Sequence, residues 1–505
     1  MTPTPGDILV SHNARLDAYF AVQITGSKMD GKYPLVSVLT LDWMGKALPT
    51  DAEIAAMKPK SFDFFFWNAR FDHDWVPAQV PPSFQRVGHR PVLVTTELGS
   101  YSGWPDGSTF YSQQQWDARP KALRDKFKHA AAREDETPVV TVNGFTVTHS
   151  TNRLTDWLTA AVDDLSIFDD LALLTNVATD RPIPGLFDFL HKHSFINELQ
   201  LLNHGETRLD LRSLLATRLI IDVTGLTELY LNDAVEFLSL VGSAASDLRI
   251  HADADGRWIL LHTTDAAAPW SGLSALGGWS VYRLKEMDVA SAVRRFPTLR
   301  DVSMSGAPGY VRNLAALSAL SNLETLRLND VFGFTPEDIP APSNFPALQT
   351  LHVTSCPADA ADAVKKIYKP AAAAGLDLSV RQPRKPEWLA ANLDNPFRNW
   401  DDIEGITPAQ AKKAAALYKT ARTDALKVAS EADALVALSP IVLTYTEAFN
   451  KLDSRSNFIF TEEREQIFEA LLQIFNAVDE KRREAGAAPI DQDALIEVMD
   501  QVRDF

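Results

Sequence analysis

The sequence predicts an α/β multidomain protein with three parts. They are a β-rich N-terminal domain (1–130), an irregular solenoid of short repeats preceded by a hairpin (131–385), and a C-terminal helical bundle (386–505). Three observations predict this class: β-branched and aromatic runs fill the first part, a short apolar phrase recurs in the second, and Ala-rich helical segments form the third. At 505 residues the chain is too long for one core.

The N-terminal part reads as short strands separated by turn residues such as Asp30-Gly31 and Pro81-Pro82. A helix is expected at Thr50–Lys58, capped by Thr50 or Asp51, and a second one at Lys121–Arg133. Between Val139 and Thr148, Asn143-Gly144 separates two alternating segments. Both residues tolerate positive φ, so this segment predicts a type I′ hairpin.

The middle of the chain repeats the phrase apolar-x-x-apolar-x-apolar. The most regular copies are Leu299/Val302/Met304, Leu323/Leu326/Leu328 and Leu348/Leu351/Val353. Their central apolar residues are 24 and 25 residues apart. Looser copies are Ile196/Leu199/Leu201, Leu226/Leu229/Leu231 and Ala245/Leu248/Ile250. Such a period predicts stacked units that bury one continuous apolar row.

This phrase resembles leucine-rich repeats, and the resemblance covers about Phe195 to Arg381. It implies one short strand and one return segment in each coil. Cys356 follows Val353 by three residues, where the family has Asn or Cys, so we expect a buried structural residue.

In this register, side chains flanking the central apolar residues face outward on the concave side. Carboxylates are expected to form a row there at Glu198, Glu228, Asp247 and Asp301, and the neighbouring row contains Tyr230, Arg249 and Arg327. Two interpretations remain open: a merely solvated acidic face, or a groove for a basic ligand with Tyr230 as anchor.

Aromatic residues are dense in the N-terminal part, notably from Phe62 to Trp75. Strand alternation predicts that Phe62, Phe64 and Phe66 are buried and that Phe65 and Trp67 face the other way. Either the sheet is covered on both sides, or Trp67 and Trp75 anchor a partner.

After residue 385 the sequence predicts helices. Thr407 and Pro408 have the positions of an N-cap and a first helical residue, and Thr461 begins a second amphipathic segment that ends near Gly486. Asp491–Phe505 supplies a last helix.

Charge narrows the partners. The chain has 49 Lys and Arg against 66 Asp and Glu, a formal net charge of -17. Such a surface disfavours nucleic acid and anionic membranes and favours a basic protein. We find no apolar window of about 18 residues, which a membrane span requires, and no signal peptide at the start. These features, with a single cysteine, lead us to expect a cytoplasmic protein.

No standard catalytic signature is present, so we expect no catalytic residues, cofactor or bound metal. Weaker constellations at Asp72-His73-Asp74, at His191-Lys192-His193 and at Asp163–Asp170 favour surface or turn roles over metal binding.

The opening PGDI and the stretch VPPSFQRVG at Val80–Gly88 resemble small immunity proteins of bacterial polymorphic toxin systems. That resemblance implies a cytosolic, acidic protein that neutralises a cognate toxin by binding it. Our first hypothesis is therefore a non-enzymatic immunity protein that occludes a basic toxin. The alternatives are an enzyme with a catalytic N-terminal domain and substrate-selecting repeats, and a housekeeping scaffold or regulator.

Overall fold

The computed structural model describes residues 3–505, apart from 96–97, 134–135, 265, 267–268, 404, 432 and 455, and apart from the side chain of Asp402. The chain forms two compact units. The first comprises the chain up to Thr354 together with Asp359–Val380, and the second comprises Ser355–Ala358 and Arg381–Phe505. The mixed α/β class with C-terminal helices, predicted from the sequence, is confirmed, and the strands of the middle part form a long parallel sheet.

The first unit begins with a mainly antiparallel N-terminal sheet. Its strands, two flanking short strands and one helix are β1 (Asp7–Asn13), β2 (Ala18–Asp30), β3 (Tyr33–Gly45), α1 (Asp51–Ala56), β4 (Ser61–Phe62), β5 (Arg70–Phe71), β6 (His73–Pro77) and β7 (Gln85–His89). The sheet has the order β6-β3-β2-β1-β7, and β4 pairs with β5 alone. Thr50 caps α1 in a capping box with Glu53, as the sequence indicated.

Two helices and a hairpin connect the N-terminal sheet to the solenoid. They are α2 (Ser108–Asp117), α3 (Lys121–Arg133), β8 (Pro138–Val142) and β9 (Phe145–Thr148). Asn143 and Gly144 have φ values of 50° and 81°, so the hairpin turn has the two positive-φ residues that the sequence predicted.

The solenoid contains parallel strands that alternate between two sheets in its first half. In chain order these strands are β10 (Arg153–Leu154), β11 (Asn176–Thr179), β12 (Glu198–Leu201), β13 (Arg208–Asp210), β14 (Arg218–Asp222), β15 (Glu228–Tyr230), β16 (Phe237–Val241), β17 (Arg249–His251), β18 (Leu260–Thr263), β19 (Ser271–Gly272), β20 (Gly278–Asp288), β21 (Asp301–Arg312), β22 (Thr325–Phe332), β23 (Thr350–Thr354) and β24 (Asp377–Arg381). We call β10-β11-β12-β14-β16-β18-β20-β21-β22-β23-β24 the long sheet and β13-β15-β17-β19 the short sheet.

Helical segments complete the solenoid coils. The α-helices are α4 (Asp156–Ala160), α5 (Leu186–Lys192), α6 (Val289–Arg295) and α7 (Ala358–Ala373). The 3₁₀ turns are Leu165–Phe168, Asp253–Gly256, Leu314–Ala319, Pro336–Asp338 and Pro342–Asn344.

One apolar side chain from each successive long-sheet strand aligns across the sheet and is buried. The aligned row is Leu199, Leu219, Leu238, Leu261, Trp279, Val302, Leu326 and Leu351. Each is at most 4% exposed, so the stacked core predicted for Leu326 and Leu351 is confirmed. Cys356 is also fully buried, as expected.

The second unit is helical. Its helices are α8 (Pro386–Asn392), the 3₁₀ turn Trp400–Asp402, α9 (Pro408–Val428), α10 (Ala434–Asp453), α11 (Thr461–Glu484) and α12 (Gln492–Val502). Thr407 caps α9 in a capping box with Gln410. The buried Arg384 guanidinium donates to both carboxylate oxygens of Asp401 at 2.8 Å. Among the helices of the described residues, we find none with both the length and the apolar character needed to cross a membrane.

Candidate functional site

The register of the short sheet places opposite charges side by side. Arg208 pairs with Glu228, and Glu228 pairs with Arg249, so the outward row alternates in sign. The repeat register predicts Glu228 and Asp247 in one outward row, but Asp247 lies exposed in the turn before β17. Glu228 therefore faces cations on both neighbouring strands.

Tyr230 occupies the next outward row of the short sheet, between Asp210 and His251. Its ring stacks on His251 with centroids 4.3 Å apart and planes 7° apart. His251 Nε2 lies 2.6 Å from Glu228 Oε2, and this contact lowers the pKa of Glu228. On the other flank, Arg212 lies over the Tyr230 ring and binds Asp210, which lowers the pKa of Asp210 to about 2. Tyr230 is therefore held in a network of satisfied partners.

The other two predicted carboxylates lie on the long sheet. Glu198 accepts a hydrogen bond from Asn176 at 3.0 Å and lies 3.7 Å from Arg218. Asp301 accepts from Arg327 at 3.3 Å. Burial raises the pKa of Asp301, and the Arg327 charge opposes that change.

The predicted acidic row is therefore wrong as a geometric unit. Glu198 and Asp301 lie on the long sheet, whereas Glu228 and Asp247 belong to the short-sheet side. The apolar phrase recurs on both sides of the early coils, so the sequence alone could not separate the two sheets. Arginine or histidine side chains lie beside Glu198, Glu228 and Asp301, and no continuous groove of unpaired carboxylates forms from these residues.

A different feature lies between the Glu198 and Asp301 positions on the long sheet. Arg218 lies 3.9 Å above the ring of Phe237. Phe237 and His262 have ring centroids 5.8 Å apart, and His262 and Tyr282 are 4.2 Å apart. We call Arg218, Phe237, His262 and Tyr282 the aromatic ladder. It crosses the successive strands β14, β16, β18 and β20.

The aromatic ladder is partly exposed and partly apolar. Phe237, His262 and Tyr282 are all half-buried, and Leu260 pairs beside Phe237 with a half-buried side chain. Burial lowers the pKa of His262, and the nearby Arg218 charge acts in the same direction, so both favour the neutral imidazole. Half-buried aromatics between ion pairs are typical of protein-binding surfaces.

Sequence reasoning missed the aromatic ladder because its strands do not carry the regular phrase. The signal that could have found it is a short apolar run typical of a buried strand: Leu219–Ile221 is apolar throughout, and so are four of the five residues of Phe237–Val241.

The two tryptophans predicted as anchors are both half-buried, and Trp67 packs against the N-terminal core. Trp67 stacks on Phe64 with centroids 5.1 Å apart. Trp75 donates its indole hydrogen to the Leu98 carbonyl at 3.2 Å and lies beneath the Lys28 ammonium. The predicted alternation fails because only Ser61–Phe62 is a strand and the chain then turns, so Phe66 is 47% exposed.

The side chains of Asp72, His73 and Asp74 do not converge on one point. His73 faces away from Asp74 and bonds Thr25 at 2.7 Å, while Asp72 accepts from Thr40 at 2.9 Å. Within the described residues, we find no group of three or more His, Cys, Asp or Glu side chains placed to hold a metal.

His193 lines a small pocket of about 60 Å³ with Asp169, Lys192 and Lys126. Its Nε2 atom and Asp169 Oδ1 are buried without a hydrogen-bond partner in the described part of the chain. The pocket has room for a few water molecules, which could hydrate these two buried polar atoms.

Comparisons with known proteins give a distant structural likeness. No family model matches the sequence, and no curated protein matches it. One matching solved structure is an internalin from Listeria monocytogenes, with 16% identity over 38% of this chain and a TM-score of 0.22. This chain spans 65% of the length of that internalin chain. A TM-score of 0.22 does not establish a shared fold, so the solenoid described above rests on its own strand pairing.

Proposed function

We propose that this protein is a non-enzymatic protein-binding protein of the leucine-rich repeat type. The observation that carries the proposal is the aromatic ladder on the outward face of the long sheet. Binding surfaces combine a partly buried aromatic centre with a charged rim. Here Phe237, His262 and Tyr282 supply the centre, and the Glu198–Arg218 and Asp301–Arg327 pairs supply the rim.

The specific form of the proposal is an immunity protein that occludes a basic toxin in the cytoplasm. The net charge of -17 supports a basic partner, because complementary charge speeds and orients association. The resemblance of Val80–Gly88 to immunity proteins supports the toxin as the partner's class. Tyr230, Arg249, Glu228 and Asp247 form a second contact region on the short-sheet side, and Trp67 and Trp75 a third.

Alanine variants of the aromatic ladder test whether the long-sheet face binds the partner. The protein is purified from its native host with its bound partner, and the partner is then measured against variants by surface plasmon resonance. Phe237→Ala and Tyr282→Ala should each raise the off-rate and weaken affinity roughly 30-fold, as a hot-spot loss of about 2 kcal/mol does.

Trp157→Ala is the matched control, since Trp157 is 44% exposed and lies outside the ladder. Equal affinities for wild type, both ladder variants and the control would remove the long-sheet face from the mechanism. For the immunity role, expression of the partner alone should be toxic, and its coexpression with the wild-type protein should be harmless. A partner that is harmless alone contradicts that role.

A further inference from the structure

The N-terminal sheet lies along the turns that precede the long-sheet strands, and a cleft of about 600 Å³ lies between them. At one end of this contact Arg15 forms an ion pair with Glu236 at 2.7 Å. At the other end the Gln79 side-chain amide donates to the Gly375 carbonyl at 2.6 Å. The cleft volume lies in the range of small-molecule sites, which often form where two substructures meet.

The solenoid wall of the cleft carries two guanidinium groups around one indole. Arg257 lies 5.0 Å and Arg300 5.6 Å from the centroid of the Trp258 ring. Arg300 lies 3.7 Å from the Glu324 carboxylate. Arg257 has no carboxylate within salt-bridge distance in the described part of the chain.

Other arginines of the same unit lie beside carboxylates. Arg15, Arg218 and Arg327 each have a carboxylate neighbour within 4 Å. A guanidinium left free on an indole face, inside a cleft, is suited to bind an anion from solution.

The opposite wall supplies a second, fixed aromatic surface. Trp104 and Phe84 have ring centroids 5.0 Å apart, and the Trp104 indole donates to the Pro77 carbonyl at 2.9 Å. Asn13 holds the neighbouring loop by donating to the Asp106 carbonyl at 2.7 Å. Trp258 and the Trp104–Phe84 pair therefore give the cleft aromatic surface on both walls, against which a flat ring can pack.

We propose that this cleft binds a small anion carrying a flat aromatic ring, of the mononucleotide class. The phosphate would lie against Arg257 and Arg300, and the base would lie along Trp258. The proposal is independent of the protein-binding role of the aromatic ladder. Glu324 also lines the cleft and competes for Arg300, so it limits the affinity for anions.

Isothermal titration calorimetry of the full-length protein with AMP and UMP tests the proposal. We expect at least one nucleotide to bind with a submillimolar Kd, and adenosine and inorganic phosphate each to bind at least tenfold more weakly. Arg257→Ala and Trp258→Ala should each weaken the nucleotide at least tenfold. Glu324→Gln should tighten it several-fold, because a competing negative charge is removed.

Arg312→Ala is the control, since it removes the same charge from an exposed position at the end of β21, outside the cleft. No heat from any nucleotide at 5 mM would overturn the proposal. It would also be overturned by equal binding of adenosine and AMP, or by equal losses in Arg257→Ala and Arg312→Ala. A fall in affinity for Trp258→Ala with an unchanged circular dichroism spectrum would support the proposed ring contact.

Discussion

His193 shows how a single buried side chain links burial to pH. Desolvation lowers the pKa of His193 to about 4; Asp169 opposes this change, whereas Lys126 and Lys192 add to it. In the unfolded chain the imidazole has a pKa near 6.5, so between about pH 6.5 and pH 4 the unfolded state binds more protons. The contribution of neutral His193 is therefore fully present above pH 6.5 and is lost as the pH falls.

This sign gives a direct prediction. As the pH falls from 7 to 4, wild type should lose up to about 3 kcal/mol more free energy of unfolding than His193→Gln, which cannot titrate. Urea unfolding of both proteins across this range measures the difference. Parallel pH profiles would show that His193 is solvated in the folded protein.

A second prediction concerns the core row. Leu326 is 4% exposed and aligned with Val302 and Leu351 on neighbouring strands. Leu326→Ala should cost about 2–5 kcal/mol, since it removes buried methyl groups and leaves a cavity between coils. Chemical denaturation measures this loss. Thr325→Ala on the adjacent half-buried position is the control and should cost much less.

The lengths of the coils explain which strands could be predicted from the sequence. Val302, Leu326 and Leu351 recur at 24 and 25 residues and lie on one sheet, so a period search finds them. Leu199, Leu219 and Leu238 recur at 20 and 19 residues, because each early coil contains a strand on both sheets. Because the apolar phrase is the same on strands of both sheets, the sequence does not show to which sheet a given copy belongs.

Local turn chemistry was predictable for a different reason. The Asn143-Gly144 turn and the Thr407 cap depend on neighbouring residues only, so their sequence signals suffice. The aromatic run after Phe62 and the aromatic ladder depend on partners from distant segments. Phe65, for example, has a φ of 44° and packs on Trp116 and Phe195.

At the edge of the short sheet, Gly272 is expected to be indispensable. It has φ +100°, and a Cβ there would lie 2.0 Å from the Ile250 carbonyl oxygen of β17. Gly272→Ala should therefore cost more than about 2 kcal/mol and weaken the β17–β19 pairing.

Gly225→Ala is the matched control, because Gly225 has φ +78° and a Cβ added there would meet no described atom within 4 Å. It should cost about 1–2 kcal/mol from backbone strain alone. Thermal unfolding of both variants separates strain from steric contact; equal costs would mean that the carbonyl moves aside.

Over the whole molecule, the excess of carboxylates should govern encounter with a basic partner. Glu228→Lys/Asp247→Lys changes the formal charge from -17 to about -13, since each reversal adds two units. The on-rate should fall, and the difference should shrink between low and high salt because ions screen exposed charges. Surface plasmon resonance at two salt concentrations measures this.

A matched reversal at Glu480 and Asp500, both in the second unit, gives the same charge change elsewhere. If the short sheet contributes to docking, the Glu228/Asp247 variant should slow association more than this control. Identical on-rates would mean that only total charge matters.

The hydrogen bonds between the N-terminal part and the solenoid also have a mechanical consequence. A stack held only by neighbouring coils peels from its end under a pulling force, releasing roughly 20–25 residues at each step. Here Arg15 binds Glu236 and Gln79 binds the Gly375 carbonyl, so loops of the N-terminal sheet contact coils that are far apart in the stack. Tension on the last coil is then shared with the first strands of the protein. Stretched in a single-molecule trap, this region should rupture as one large block and only afterwards unravel coil by coil.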